Sequence, residues 1–189
     1  MLEAAEDGGL TPRISGTLAA PRRRPLNVRG ASVGFLIGMV LGTIAIVPTP
    51  RLLWNASASA PVGLYLITPG TSLEVGDMVA ARTPAGVRKL AAMRGYLPFS
   101  VPLVKRVAAT HGSQVCALRT RIIVNGLTLA HRRKRDAEGR LMPWWTGCRR
   151  LRSGQFLLLN RPAESFDSRY FGPVENEAIL GKALLLWPR

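Results

Sequence analysis

No charged side chain lies between Arg29 and Arg51, and within that gap Gly30 to Val47 reads GASVGFLIGMVLGTIAIV. At ~1.5 Å per residue the uncharged stretch is long enough as a helix to cross a hydrocarbon layer roughly 30 Å thick. It lacks the polar side that a helix packed on a soluble core would show. It also exceeds the ~7–15 apolar residues of a cleaved leader. A retained transmembrane helix is therefore expected over residues 30–48, ended by Pro48 and Pro50. A competing signal must be noted: Ala56-Ser57-Ala58 and Ala58-Ser59-Ala60 both have the small-x-small form of a leader cleavage site.

After Leu52 the pattern changes to short apolar runs punctuated by Gly and Pro, which predicts a mostly β domain. Strands are expected at Gly63 to Ile67, Asp77 to Ala81, Pro102 to Ala108, Gln114 to Leu118, Arg121 to Val124, Gln155 to Leu159 and Ile179 to Trp187. Asn125-Gly126 directly follows Ile122-Ile123-Val124 and favours a two-residue hairpin turn with positive φ. One short helix is expected at Ala85 to Arg94, with Pro84 before it and Gly95 after it.

Charge adds orientation. Arg22, Arg23, Arg24 and Arg29 precede the apolar segment and only Arg51 follows it closely, so the N-terminus is expected in the cytoplasm. Residues 1–29 show no apolar periodicity and read as a disordered tail, which leaves 52–189 as the extracytoplasmic domain. The net charge is +15, and residues 1–47 supply only +2 of it, with five basic and three acidic side chains. The run His131-Arg132-Arg133-Lys134-Arg135 reads most simply as a solvated loop. Contact with anionic membrane lipid comes next, helped by Leu52, Leu53 and Trp54. Nucleic acid is not expected as a partner, because no pattern of base-stacking aromatics accompanies the charge.

Candidate chemistry sits in two places. The stretch NASASAPVGLY, Asn55 to Tyr65, places Ser59 two residues before Pro61 among side chains too small to crowd a peptide, with Ser57 close by. In PLVKRVAATHG, strand alternation puts Lys105 and Arg106 on opposite faces. An inward Lys105 would be desolvated, which disfavours its charge and makes it a usable base. A neutral amine can take a serine's proton, so Ser and Lys together can perform acyl transfer without histidine. Ser165, Asp167, Ser168 and Arg169 form a polar cluster able to orient such a lysine. A Ser-His-Asp arrangement using His111 is a poorer alternative. Cys116 and Cys148 are the only cysteines, and in an oxidising compartment they are expected to form one disulfide. Zinc held by them with His111 and His131 is disfavoured, since none of the four is paired at structural-site spacing. No metal and no cofactor is expected.

The order of these segments resembles the type I signal peptidases, and more narrowly their conjugal-transfer, TraF-type branch. The NASASAPVGLY box has Ser-x-Pro where the general enzymes have Ser-Met-x-Pro. RGYLPFSVPLVKRVAATHG, GRLMPWWTGCRRL and SFDSRYFGPV agree as well. The resemblance implies a coiled assembly of several small β sheets, shared with LexA-like self-cleaving repressors. It implies Ser59 as nucleophile and Lys105 as general base. Ser57 would support the oxyanion, while Ser165, Asp167 and Arg169 would position the lysine. Two departures stand out: Leu158-Leu159-Asn160 where Gly-Asp-Asn is usual, and Thr110-His111-Gly112 where Leu-Pro-Gly is usual.

The function this implies is a membrane-anchored serine endopeptidase in the bacterial inner membrane, with its catalytic domain in the periplasm. Its substrate would be an exported peptide or conjugative pilin precursor, and an amine of the substrate could resolve the acyl-enzyme to give a cyclic product. Partners would include membrane lipid and other components of the transfer apparatus. The alternative is a catalytically silent, basic, anchored component of that apparatus.

Overall fold

A computed structural model of the chain describes residues 32–39 and 51–189. The chain divides into two compact units, Met1–Val47 and Pro48–Arg189. In the first, residues 32–39 are helical (α1). The expected tail over 1–29, and all of the expected anchor except those eight positions, lie outside the described residues. Among the described residues no helix is long and apolar enough to cross a membrane.

In the second unit the strands are β1 (Leu52–Asn55), β2 (Gly63–Thr68), β3 (Met78–Ala81), β4 (Leu103–Ala109), β5 (Gln114–Leu118) and β6 (Arg121–Val124). They continue as β7 (Leu127–His131), β8 (Gly147–Arg150), β9 (Gln155–Leu159), β10 (Val174–Glu175) and β11 (Ile179–Pro188). Helix α2 (Ala85–Met93) lies between β3 and β4, and α3 (Ser168–Phe171) between β9 and β10. A seven-stranded sheet has the order β1-β2-β11-β3-β4-β9-β10, and a four-stranded sheet the order β7-β6-β5-β8. All the pairings are antiparallel. The domain is mostly β, as expected, but it has two sizeable sheets instead of several small ones. It also has a second helix, α3, and a 3-10 turn at Asn176–Ala178.

Local chemistry explains the joints. Asn125 and Gly126 take φ of 48° and 85°, the left-handed pair that a tight hairpin between β6 and β7 requires. Gly63 opens β2 just after the serine-rich loop, and a Cβ there would lie 2.1 Å from the Trp187 carbonyl oxygen. Only glycine lets the end of β11 approach that loop.

Strand β4 is central to the large sheet, pairing β3 on one side and β9 on the other. Leu103, Val104, Val107 and Ala109 are buried along it, and so is Lys105, while Arg106 is exposed. One apolar cluster gathers Tyr65, Ile67, Ala80, Val104 and Leu180. Another joins Ala109 to Val115, Ile122, Leu151 and Leu157, tying β4 to the small sheet. A third packs Ala91 of α2 against Phe166 and Tyr170, with ring centroids of Phe166 5.1 Å from Tyr96 and 6.0 Å from Tyr170. Phe166 lies between Ser165 and Asp167, so the aromatic cluster anchors the chain at that point.

The basic run corrects one expectation. Arg132 is only 2% exposed: Nε and Nη2 donate to the Arg119 carbonyl at 3.0 and 2.8 Å, and Nη1 to the Trp145 carbonyl at 2.6 Å. Its guanidinium lies 3.5 Å from the Trp144 ring centroid. Burial is tolerated because carbonyls and a π face take the place of water. Arg133, Lys134 and Arg135 are exposed, as a solvated loop requires.

Candidate active site

The loop from Asn55 to Gly63 is held by two buried side chains, Asn55 and Tyr65. Asn55 Nδ2 donates to the carbonyls of Ser57 at 3.0 Å, Ala60 at 3.3 Å and Pro61 at 3.0 Å, and its Oδ1 accepts from the Ser57 N–H at 3.2 Å. The Tyr65 hydroxyl donates to the Pro61 carbonyl at 2.8 Å. These bonds present Ser59 half-buried at the crest of the loop. Nothing in the sequence marked Asn55 beyond its position at the head of the serine run.

Lys105 reaches that crest from the floor. Its Nζ lies 2.8 Å from Ser59 Oγ and 3.0 Å from Ser165 Oγ, and the residue is 3% exposed. Burial pushes the amine down from 10.5 to about 8; Asp167 opposes this by its charge, and Arg169 adds to it. About a tenth of the amine is thus neutral at pH 7, and in that form Nζ can accept the Ser59 hydroxyl proton.

The other side chains expected to support the site are all present, in different roles. Ser57 Oγ lies 2.9 Å from Ser59 Oγ and accepts from the Ser59 N–H at 3.3 Å. Ser165 alone of the polar cluster bonds to Lys105. Asp167 and Arg169 form a buried ion pair, Oδ1 to Nε at 2.8 Å, and act on the lysine through their charges. Asp167 also caps α3 by accepting from the Arg169 N–H at 3.1 Å, and accepts from the Asn160 N–H at 3.0 Å. Arg169 further donates to the carbonyls of Asn160 and His131. Ser168 Oγ accepts from the Leu158 N–H at 3.0 Å, pinning α3 to β9.

Asn160 is a positioning residue that the sequence did not single out as one. Its Oδ1 accepts from the Arg106 N–H and its Nδ2 donates to the Val104 carbonyl, both at 3.0 Å, so it grips the backbone on either side of Lys105. The signal was available: a polar residue closing the buried run Leu157-Leu158-Leu159.

Cys116 and Cys148 are bonded, opposite each other in register on β5 and β8. His111 is exposed in the turn before β5 and lines neither of the cavities that border Ser59, so it does not join the serine. Among the described residues no three His, Cys, Asp or Glu side chains cluster as metal ligands.

On the Lys105 side, Ser59 opens into a pocket of about 140 Å³ walled by Tyr96, Leu97, Leu103 and Phe166. A hydroxyl, an amine poised to take its proton and a small pocket with one apolar wall beside them are what acyl transfer to serine needs.

The family model described as signal peptidase, peptidase S26, matches residues 28–187. This chain belongs to the signal peptidase family. Within it the match is to the TraF branch. The probable conjugal transfer protein TraF of Sinorhizobium fredii is 32% identical over 165 residues, covering 78% of this chain and 86% of that protein. The plasmid transfer protein TraF of Escherichia coli is 33% identical over 146 residues, covering 70% and 82%. A crystal structure of a signal peptidase I from Enterococcus faecalis aligns over 59% of this chain and 97% of its own, at 16% identity and a TM-score of 0.35.

Proposed function

We propose that this signal peptidase family member is a serine endopeptidase that cuts an exported precursor, with Ser59 as nucleophile and Lys105 as general base. The observation that carries the reading is the 2.8 Å contact between Ser59 Oγ and a buried lysine whose amine is depressed to about 8. Neutral Lys105 takes the Ser59 proton as Oγ attacks the scissile carbonyl. The resulting oxyanion displaces the internal bond between Ser57 Oγ and the Ser59 N–H and takes donors from both. As the intermediate collapses, the Lys105 ammonium gives its proton to the departing amine, leaving an ester on Ser59. Water, or an amine of the substrate, then attacks that ester, and Lys105 again accepts the proton. Ser165 holds Nζ in line throughout, and the wall formed by Tyr96, Leu97, Leu103 and Phe166 favours a small side chain before the cut.

The conjugal-transfer names of the relatives support a pilin-type precursor as substrate and the transfer apparatus as setting. The uncharged run between Arg29 and Arg51 and the arginines before it support an inner-membrane anchor with residues 52–189 in the periplasm. The test is incubation of the purified full-length chain with a pilin-type precursor. Wild type is expected to release a shortened product, and Ser59→Ala and Lys105→Ala to release none. Either variant processing as well as wild type refutes the dyad, and a wild type that never cuts favours a silent component of the apparatus.

A further inference from the structure

Ser59 borders a second cavity. Away from Lys105 lies an open cleft of about 530 Å³ lined by residues 58–62 and 160–162, with Met78 and Arg106. Its only ionisable lining residues are Arg106 and Arg161. Arg106 is exposed and donates from Nη1 to the Gly76 carbonyl. Arg161 is exposed, and among the described residues it makes no ion pair and no hydrogen bond. The Lys105-side pocket differs in carrying an acid, Glu164, which is paired with Arg133 at 2.6 Å. The cleft is thus cationic without compensation, and the reactive hydroxyl marks its border.

Resting on the peptidase reading, we infer that this cleft receives the substrate downstream of the cut bond and selects an anionic residue there. The tight pocket beside Lys105 suits a small side chain on the acyl side. From a carbonyl held over Ser59 Oγ, the chain on the amine side must leave in the other direction, across residues 58–62. There the two guanidiniums meet a carboxylate in the first few downstream positions, and Asn160 is already consumed by backbone bonds. A guanidinium fork pairs with a carboxylate through two parallel bonds.

Binding tests this without turnover. The full-length Ser59→Ala chain in non-ionic micelles is titrated against fluorescein-labelled peptides sharing upstream Ala-Leu-Ala, with downstream Ala-Glu-Glu, Ala-Gln-Gln or Ala-Lys-Lys. A fourth peptide carries its Glu pair upstream. The downstream Glu peptide is expected to bind about threefold to tenfold tighter than the Gln peptide, as one or two half-exposed ion pairs allow. Added Arg161→Glu, which leaves Arg106 facing one introduced carboxylate, is expected to abolish the preference. Arg121→Glu, the same charge change on the four-stranded sheet, is expected to keep it. Equal binding of the downstream peptides, an undiminished preference for the Glu peptide in Arg161→Glu, or preference for the upstream Glu pair overturns the inference. A wild type that cuts none of the peptides counts against the peptidase reading alone, because the ranking is read from binding. A flat ranking alongside active cleavage counts against the cleft alone.

Discussion

Lys105→Met separates what the buried amine does for chemistry from what it does to stability. Methionine has nearly the same length and no charge, so the pocket stays filled. A fall from 10.5 to about 8, at ~1.4 kcal/mol per pH unit, amounts to about 3 kcal/mol. Below pH 8 the amine is charged in both states, and the folded protein bears the whole cost. Between about 8 and 10.5 the folded form has released the proton while the unfolded form keeps it, so wild-type stability rises with pH. Above 10.5 both forms are neutral and the cost is gone. Against this, methionine gives up the bond to Ser165 Oγ, the one hydrogen bond found for that buried hydroxyl among the described residues, worth ~1 kcal/mol. Lys105→Met is therefore expected to be more stable than wild type by about 2 kcal/mol near pH 7 and to lose that advantage toward pH 10.5, while cutting nothing. Paired denaturant unfolding of the two chains, followed by tryptophan fluorescence between about pH 6.5 and 10, reads the difference directly. A difference that stays flat or widens as pH rises would mean the amine is not desolvated in the folded protein, and the argument for a neutral base would fail with it.

The rate of precursor cleavage is expected to climb with pH and level off above about 8, where the buried Lys105 amine gives up its proton; a rise centred near 6.5 would point to a histidine instead. Ser165→Ala frees Nζ on one side and is expected to lower kcat about tenfold with little change in KM. It should also move the midpoint of the pH profile, and Ser165→Thr is expected to restore both. A uniform loss without a pH shift would make Ser165 merely structural. Reducing the Cys116–Cys148 bond, which closes a sequence separation of 32, is expected to cost about 3–4 kcal/mol. Thermal unfolding with and without reductant measures it, and an unchanged midpoint would show that β8 is held by its ladder alone.

What could be read ahead of the fold was what strand alternation encodes. In Leu-Val-Lys-Arg-Val-Ala-Ala the flip between Lys105 and Arg106 follows from period two, and the structure buries the one and exposes the other. Gln114 to Leu118 and Arg121 to Val124 have the expected bounds because Asn125-Gly126 fixes the turn that follows. Strand β8 gave no such signal: Gly147, Cys148, Arg149 and Arg150 are all exposed, and the strand exists because β5 offers a ladder and Cys116 a bond. Helix α3 was hidden for another reason. Four residues are too few to show a period, and the helix starts because Asp167 caps it while also pairing with the arginine two places on.

Arg132 shows where reading a sequence has to stop. Its burial depends on carbonyls of Arg119, Trp145 and Arg169, groups that come together only once both sheets exist. The same is true of the pair proposed for catalysis, whose members lie 46 positions apart. The sheet order places β11, the last strand, between β2 and β3, so in the folded sheet the serine loop is joined to β4 through the far end of the chain. A local motif can therefore name Ser59 and Lys105, but their 2.8 Å contact is a property of the closed sheet. Perturbing the β11 contact at Gly63, where a Cβ would strike the Trp187 carbonyl, must disturb the serine as surely as a change beside it.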